Sequence, residues 1–338
     1  MSSMTEETPL LPQAKGSVLA RAVGRRSRKR LTVTAVVIAA LLAAVPALFP
    51  GWVSFAVVVG AFFLIVVGLD VFLGQAGQVS LGQTLFMALG GYGAGLLSMR
   101  LEIPTAISAI IMAVISGAVA YLLGRPLLRL RGYYLALATL GLAVITQSLA
   151  TGLVSVTGGP SGLVGIPNVG IGPLVATTDA ANYYVMLAVC AAAAWFIIGI
   201  LRSQTGRVLA AVSYDQHAAE MLGINPARYK TAAFVVSAVL GSLGGSLYAF
   251  YSMFLSPDMV AVTVSFNLVV VLALGGSRTI VGPLLGVFLL QLLPEAGQAI
   301  ATWEPLIAGV VLIVVITYLP RGLWGGLKAL FQKVVVRR

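Results

Sequence analysis

Long apolar runs, separated by short clusters of basic residues, constrain this chain more than any other feature. Between Leu31 and Pro320 the sequence is a nearly continuous series of stretches about as long as a bilayer is thick. Hydrophobic residues make up 59% of the 338 positions and charged residues 9%, which leaves too little polar surface to cover a water-soluble globule. The runs are continuous rather than alternating, which favours helices over tilted strands. The pattern predicts an all-α integral membrane protein.

Basic residues predict the orientation of the chain. The net charge is +11, and the Lys and Arg residues cluster beside the apolar spans. Such clusters mark the cytoplasmic side of a membrane rather than a nucleic-acid site. We therefore expect residues 1–30 and 321–338 to be basic cytoplasmic tails that flank a transmembrane domain, 31–320, in the cytoplasmic membrane. Two cytoplasmic termini require an even number of crossings.

The apolar runs predict about ten transmembrane helices. Their expected bounds are 31–49, 52–73, 83–100, 104–124, 133–153, 182–201, 230–253, 263–275, 280–298 and 304–320. The eighth helix is short for a full crossing. Residues 263–298 are alternatively a re-entrant pair, which gives eight crossings and leaves both termini on the same side.

The segment Gly74–Thr84, between the second and third spans, is the first with functional character. It combines glycine with uncharged polar residues where a plain connector would carry Lys or Arg. A glycine interruption of a helix leaves backbone polar groups without helical partners. At membrane depth these groups must face protein or a wet cavity. The segment predicts a pathway for a small polar solute, with a short turn at the cytoplasmic surface as the alternative. The candidate pathway residues are Asp70, Gln75, Gln78, Ser80, Gln83 and Thr84.

Asp70 is an acid inside the predicted span 52–73. An intramembrane carboxylate is costly unless it is paired or hydrated, so Asp70 is a functional candidate. It also lies within one turn of the helix end, so an acid at the membrane interface is the alternative.

A second glycine-rich element, Gly275–Thr279, lies in the other half of the chain and precedes a glycine-dotted helix. Paired interruptions in two halves are typical of transporters with repeated architecture. We therefore expect two pseudo-repeated halves with glycine-broken segments. The predicted helix breaks are Gly74, Gly77, Gly82, Gly275, Gly276 and Gly282.

The connection 203–229 is predicted to be cytoplasmic and to contain a short amphipathic helix. Ser213 and Gln216 have the spacing of a capping box, and Gly223 followed by Pro226 indicates the end of the helix. Docking to a cytoplasmic partner is one interpretation of its apolar face, and lying in the lipid interface is the other. That face comprises Ala218, Ala219, Met221 and Leu222.

Two spans carry small residues at helical spacing. Gly91 and Gly95 lie in the third span, and Ser237, Gly241, Gly245 and Ala249 lie in the seventh. Small residues let helices approach closely in lipid. Packing within one subunit is favoured over a contact between subunits.

Taken together, these segments resemble the permease subunit of ATP-binding-cassette importers for branched-chain amino acids, the LivM-like family. The resemblance runs from about Gly60 to Arg321. Its strongest parts are Gly74–Tyr92, which carries a Gly-Gln-x-Ser-Leu-Gly signature, then Arg129–Leu140, and Gly206–Phe234. Asp70 and Gln83 stand where family members often carry Asn and His.

The resemblance implies several partners: a second, homologous permease, two ATPase subunits and an extracytoplasmic solute-binding protein. The ATPases would bind the 203–229 connection and hydrolyse ATP, and the permease would move branched-chain amino acids by alternating access. The residues implied in ATPase coupling are Arg207, Ser213, Asp215, His217, Glu220 and Gly223. Related scaffolds carry urea, short amides or sugars, so cargo alternatives stay open.

Residue types in the sequence argue against chemistry on this chain. Cys190 is the single cysteine and His217 the single histidine, and no nucleotide-binding Gly-x-x-x-x-Gly-Lys-Ser/Thr loop occurs. We expect neither metal nor cofactor and no catalytic residue, and a membrane enzyme is disfavoured. A stand-alone facilitator or channel, with flux independent of ATP, is the alternative to an importer.

Overall fold

A computed structural model describes residues 45–130, 132–171, 174–295, 309–310, 322–326 and 328. The chain divides into two units, Met1–Pro50 and Gly51–Arg338. In the first unit, residues 45–48 are helical, and the Phe49 N–H donates to the Val45 carbonyl oxygen. Most of the two predicted tails and of the predicted spans 31–49 and 304–320 lies outside the described residues.

Helices dominate the second unit. In chain order they are α1 (Val53–Asp70), α2 (Gln83–Leu101), α3 (Thr105–Leu127), α4 (Tyr133–Gly152), α5 (Val154–Thr157), α6 (Asp179–Arg202), α7 (Gln204–Tyr214), α8 (Gln216–Met221), α9 (Pro226–Ser252), α10 (Val262–Gly275) and α11 (Val281–Glu295). Their bounds follow the predicted spans closely, except that α7 and α8 divide the segment where one short helix was predicted.

Five helical segments among the described residues are long and apolar enough to cross a membrane. They are Pro50–Gln75, α3, α4, α6 and α9, and α10 and most of α11 form shorter apolar helices. The helical membrane class is confirmed. About ten crossings, two repeated halves and two cytoplasmic termini stay predictions.

Local sequence fixes where two of the long helices begin. Thr178 precedes α6, and its Oγ1 accepts a hydrogen bond from the Ala181 N–H. Asn225 precedes α9, its Oδ1 accepts from the Arg228 N–H, and Pro226 occupies the first helical position. Proline suits that position because the missing N–H has no partner within the helix.

Helix α9 forms the centre of the fold. It packs against α1, α2 and α3, and 78% of its most apolar stretch is buried, against 17% in α6. Trp195 on α6 is 78% exposed. Helix α6 therefore turns most of its surface outward, while α9 turns its surface to other helices.

The α2–α9 crossing brings two backbones together. A Cβ atom at Gly90 would overlap the Ser242 backbone, and one at Gly245 would overlap the Met87 backbone. A Cβ atom at Gly91 would likewise meet Gly245 and Ala249, so these small residues pack within one chain, as predicted, whereas Gly95 lies beside Leu163 and Ile166. Close approach of this kind is how helices associate without a hydrophobic driving force.

Short strands fold the segment between α4 and α6. Strand β1 (Leu163–Val164) pairs antiparallel with β4 (Phe254–Leu255), and β2 (Gly170–Ile171) pairs with β3 (Leu174–Val175). Arg100 at the end of α2 donates from Nη2 to the Ser155 carbonyl oxygen, 2.7 Å away. These contacts tie the segment to the ends of α2 and α9.

Candidate functional site

Three segments that the sequence singles out separately meet where α1 ends. The Arg278 N–H, in the second glycine-rich element, donates to Asp70 Oδ1 at 2.8 Å. The Arg278 guanidinium donates from Nη2 to Ser213 Oγ of α7 at 2.6 Å. We call this meeting point the α1–α7 junction: Asp70, Gly74, Gly77, Ser213 and Arg278.

The first break is a change of helical pitch. Helix α1 continues into a π-helical turn, Val71–Gln75, in which the Ala76 N–H donates to the Val71 carbonyl oxygen at 3.3 Å. The Gly74 carbonyl oxygen accepts a hydrogen bond from Arg278 Nε at 2.8 Å. Wider turns of this kind are frequent at functional sites. The freed carbonyl group thus finds its partner in the other half of the chain.

Glycine is required at two positions of the junction. A Cβ atom at Gly74 would overlap Asp70 Oδ1. Gly77 has a φ of 67°, in the left-handed region that favours glycine. A Cβ atom there would also lie 2.7 Å from Ser213 Oγ. Both predicted helix breaks therefore allow close contact with the residues around them.

Polar side chains at the start of α2 bind neighbouring helices. Gln83 Nε2 donates to the carbonyl oxygens of Ser237 at 3.0 Å and Ile65 at 3.4 Å, and Ser237 Oγ donates to Gln83 Oε1 at 3.1 Å. The hydroxyls of Thr84 and Ser265 lie 2.8 Å apart. The side chains of Gln83, Thr84, Ser237 and Ser265 are all buried. The bonds join α2 to α1, α9 and α10.

The remaining pathway candidates shape the connection before α2. Gln75 is buried, and Ser80 Oγ accepts from the Gly82 N–H at 3.3 Å. Gln78 is half-buried and donates from Nε2 to the carbonyl oxygens of its neighbours Ala76 and Gly77. The connection is therefore held by its own polar side chains.

The predicted capping role of Ser213 is wrong. Ser213 lies inside α7, and its hydroxyl accepts a hydrogen bond from Arg278. Asp215 caps α8 instead, because its backbone is extended and Oδ1 accepts from the N–H groups of His217 at 2.9 Å and Ala218 at 3.1 Å. Aspartate is among the best residues at such a position.

The polar residues of α8 bind one another and α9. Gln216 Nε2 donates to Glu220 Oε1 at 2.9 Å, and Lys230 Nζ donates to Gln216 Oε1 at 2.6 Å. His217 Nδ1 lies 3.5 Å from Glu220 Oε2. Gly223, with a φ of 77°, ends the turn after α8. Helix α8 is short but held at both ends.

Arg207 lies near the start of α7. Its side chain is exposed, and Nη1 donates to the Arg202 carbonyl oxygen at 3.3 Å. This bond runs back to the end of α6, so Arg207 holds the tight turn between α6 and α7. The side chain takes no part in the α1–α7 junction.

Three large apolar side chains are exposed around α7 and α8. The exposed fractions are 93% for Tyr214, 90% for Met221 and 80% for Leu222. We call these residues the α7–α8 patch. Ala219, predicted to share this face, is buried at 2% exposure because it packs inward. Contiguous exposed apolar surface is typical of interaction sites, and Met221 and Leu222 are adjacent in the chain.

A cavity of about 140 Å³ lies between α1, α10 and α11. Its lining is apolar except for two side-chain amides, and comprises Phe62, Val66, Val264, Asn267, Leu268, Val271, Val287, Leu290 and Gln291. Helix α10 also carries Ser265, the partner of Thr84, so one helix links the cavity to the polar start of α2.

The polar groups of the α1–α7 junction are hydrogen-bond partners of helix ends. Within the part of the chain that the structure describes, His, Cys, Asp and Glu form no group of three that could hold a metal ion. The junction contains one carboxyl, one hydroxyl and one guanidinium.

Comparison with known proteins gives this geometry a context. The family model described as the branched-chain amino acid transport system / permease component matches residues 51–316. The chain belongs to this permease family. The match spans the junction, the α7–α8 patch and the cavity of the permease.

Two curated relatives of the permease carry the same description. They are the high-affinity branched-chain amino acid transport system permease proteins LivM of Escherichia coli (strain K12) and Salmonella typhimurium (strain LT2). Each is 28% identical over 296 residues, which cover 81% of this permease and 70% of the relative. No solved structure gives a significant match.

Arg278 is the residue of the permease that sequence reasoning missed. It stood in the second glycine-rich element without a role. No residue type signals this role, because Asp70 accepts from the Arg278 backbone N–H, while the guanidinium binds the Gly74 carbonyl oxygen and Ser213 Oγ. Thr139, whose Oγ1 accepts from the Leu81 N–H at 3.0 Å, was also missed and gives no signal either.

Proposed function

We propose that this chain is the permease subunit of an ATP-driven importer that moves branched-chain amino acids across the cytoplasmic membrane. Two ATPase subunits, a second homologous permease and an extracytoplasmic solute-binding protein complete the importer. Membership of the permease family supports the transport role, and the description of the LivM relatives supports the cargo.

The α7–α8 patch is the observation that carries this proposal. Tyr214, Met221 and Leu222 expose apolar surface on two helices that lie outside the long apolar spans. An ATPase subunit would cover it, with Arg207, Asp215, His217, Glu220 and Gly223 at the rim. Interfaces commonly have an apolar centre of this kind surrounded by polar groups.

Movement of α7 and α8 would reach the solute pathway through the α1–α7 junction. Ser213 on α7 binds Arg278 of the second glycine-rich element and lies beside Gly77 of the first. ATP binding would draw the two ATPases together, shift α7 and α8, and open the polar residues from Asp70 to Thr84 to one side of the membrane at a time.

The cavity between α1, α10 and α11 suits a branched aliphatic side chain. Its volume is about 140 Å³, and apolar cavities of about 150 Å³ hold benzene, which has more carbon atoms than the leucine side chain. The amides of Asn267 and Gln291 offer hydrogen bonds to the polar end of the solute. Urea or a sugar would leave most of the lining without a polar partner.

Reconstitution in liposomes tests the proposal. The permease is assembled with candidate ATPases, a second permease and a solute-binding protein from the same organism, and radiolabelled leucine uptake is measured with and without ATP inside the vesicles. We expect uptake only with ATP. Flux through the purified chain alone, independent of ATP, would contradict the importer and support a facilitator.

Substitutions in the α7–α8 patch test the ATPase contact. We expect Met221→Asp with Leu222→Asp to weaken ATPase binding by about thirtyfold, because central apolar contacts contribute about 2 kcal/mol or more. Affinity is measured between detergent-purified permease and the ATPase. The control Val164→Asp changes a 65% exposed residue in β1, which pairs with the strand after α9. Equal affinities in both variants would refute the contact.

A further inference from the structure

We propose that Arg278 is the positioning residue that transmits movement of α7 to the break after α1. This inference rests on the proposed importer function. Arg278 makes three hydrogen bonds to elements far away in sequence: its N–H to Asp70 Oδ1, its Nε to the Gly74 carbonyl oxygen and its Nη2 to Ser213 Oγ. A single residue therefore connects α1 through its backbone with the π-helical turn and α7 through its side chain.

The backbone of Arg278 is held in an unfavourable conformation. Its φ is 64°, one of three positive values among the non-glycine residues that the structure describes. A left-handed conformation is costly for a residue with a Cβ atom and persists where the surroundings impose it. The bond from the Arg278 N–H to Asp70 supplies that restraint and fixes the origin of the side chain.

The planar guanidinium makes the connection stiff. Nε and Nη2 belong to one rigid group, so the Gly74 carbonyl oxygen and Ser213 Oγ are held at a fixed separation. A lysine has a single ammonium group on a flexible stem and cannot reproduce this geometry. The position therefore requires arginine rather than positive charge alone.

The bond to Ser213 transmits movement of α7. The hydrogen bond from Arg278 opposes separation of α7 from the break. Gly77 leaves room for the Ser213 hydroxyl, since a Cβ atom there would lie 2.7 Å from Ser213 Oγ. A displacement of α7 away from the break is thus passed to the backbone that follows α1.

The test measures how much solute is moved per ATP hydrolysed. The full importer is reconstituted in liposomes with Arg278→Gln, Arg278→Lys, Ser213→Ala or the double variant Arg278→Gln/Ser213→Ala. We expect Arg278→Gln to lower the leucine-to-ATP ratio about tenfold, while ATP hydrolysis stays within about twofold, because a charge-assisted bond is lost from coupling and not from the ATPase. We expect the leucine-to-ATP ratio of Arg278→Lys to be only slightly higher than that of Arg278→Gln.

Ser213→Ala removes the same connection from the other side and leaves the bonds to Asp70 and Gly74. We expect it to lower the ratio in the same direction, and the double variant to lower it no further than Arg278→Gln alone. If Arg278→Gln does not assemble, Ser213→Ala decides the question. Arg228→Gln, an exposed arginine in the first turn of α9, is the matched control and should keep the normal ratio.

A normal leucine-to-ATP ratio in Arg278→Gln or Ser213→Ala overturns this inference and leaves the importer intact. Equal loss of hydrolysis and uptake in Arg278→Gln, with a normal Ser213→Ala, also overturns it, since Arg278 is then only structural. If the importer with the wild-type permease shows no ATP-dependent leucine uptake, the proposed function is wrong, and this inference with it.

Discussion

Buried polar side chains in this permease bind partners that come from distant parts of the sequence. Asp70 accepts from an N–H group 208 residues away, and the Thr84 and Ser265 hydroxyls are 181 residues apart. Polar groups without partners are expensive in a membrane. The predicted pathway residues therefore also hold helices together, and solute passage would require some of these bonds to open.

Alanine at Gly74 should destabilise the junction. Its Cβ atom would displace the Asp70 carboxyl and leave the Arg278 N–H unpaired, which costs about 2 kcal/mol. The free energy of unfolding in mixed micelles measures the change. In the control Gly141→Ala on α4, where the new Cβ atom has no neighbour within 4 Å, we expect a gain of about 0.5 kcal/mol. Equal values for the two variants would refute the contact.

Removing either hydroxyl of the Thr84–Ser265 pair should lower the free energy of unfolding by more than half of what removing both hydroxyls does. We expect Thr84→Val and Ser265→Ala each to lose about 1 kcal/mol, and the double variant to lose less than their sum, because no unpaired hydroxyl is left. The free energies of unfolding of the wild type, the two single variants and the double variant form a double-mutant cycle. Thr151→Val is the control, since its Oγ1 bonds only within α4. Strict additivity would show that the hydroxyls do not interact.

At the residue scale, the sequence shows which polar groups need partners, while the place of Asp70 in a solute pathway stays a prediction. Asp70 could be singled out because a carboxyl inside an apolar span needs a partner. Ser213 was assigned the wrong role because Ser213 and Asp215 are both suitable caps and lie two positions apart. Only the fold shows that the Ser213 hydroxyl binds Arg278. The partner of Asp70 is a backbone N–H, and such a bond leaves no trace in residue types.

At the scale of elements, hydrophobic runs predicted the long helices to within a few residues. Runs of apolar residues bounded by glycine, proline or charge give clear ends. The division between α7 and α8 was not predicted, because a single extended residue, Asp215, makes it. The strands β1 to β4 have two residues each, too few for an alternating pattern to be detected.

Alanine at Gly245 should weaken the α2–α9 crossing. Its Cβ atom would overlap the Met87 backbone, which cannot relax by changing a rotamer, so we expect a loss of about 3 kcal/mol. Unfolding in mixed micelles measures it. Gly199→Ala on α6, with no atom within 4 Å of the new Cβ, is the matched control. A Gly245→Ala protein as stable as this control would contradict the observed crossing.

At the scale of the whole molecule, α9 sets the distance between the two functional ends. Its 27 residues extend about 40 Å, enough to cross a bilayer. Helix α8 precedes it and β4 follows it. The α7–α8 patch and the β1–β4 pair should therefore lie on opposite sides of the membrane, which the basic clusters predict to be cytoplasmic and external.

Thiol labelling tests this orientation. We expect Tyr214→Cys to react with a membrane-impermeant reagent only in inside-out vesicles and Val164→Cys only in right-side-out vesicles. Both are placed in a Cys190→Ala background, because Cys190 is the single natural cysteine, and the permease is expressed without the ATPases that would cover Tyr214. Reaction of both from one side would refute the topology.

The bond between Asp70 and Arg278 also has a consequence for biosynthesis. A ribosome delivers α1 and α2 to the membrane long before residues 265 and 278 leave the exit tunnel. Until then the Asp70 carboxyl and the Thr84 hydroxyl lack their final partners. A nascent chain that stalls before α10 thus carries exposed polar groups in lipid, and we expect insertion chaperones to retain it until the last helices arrive.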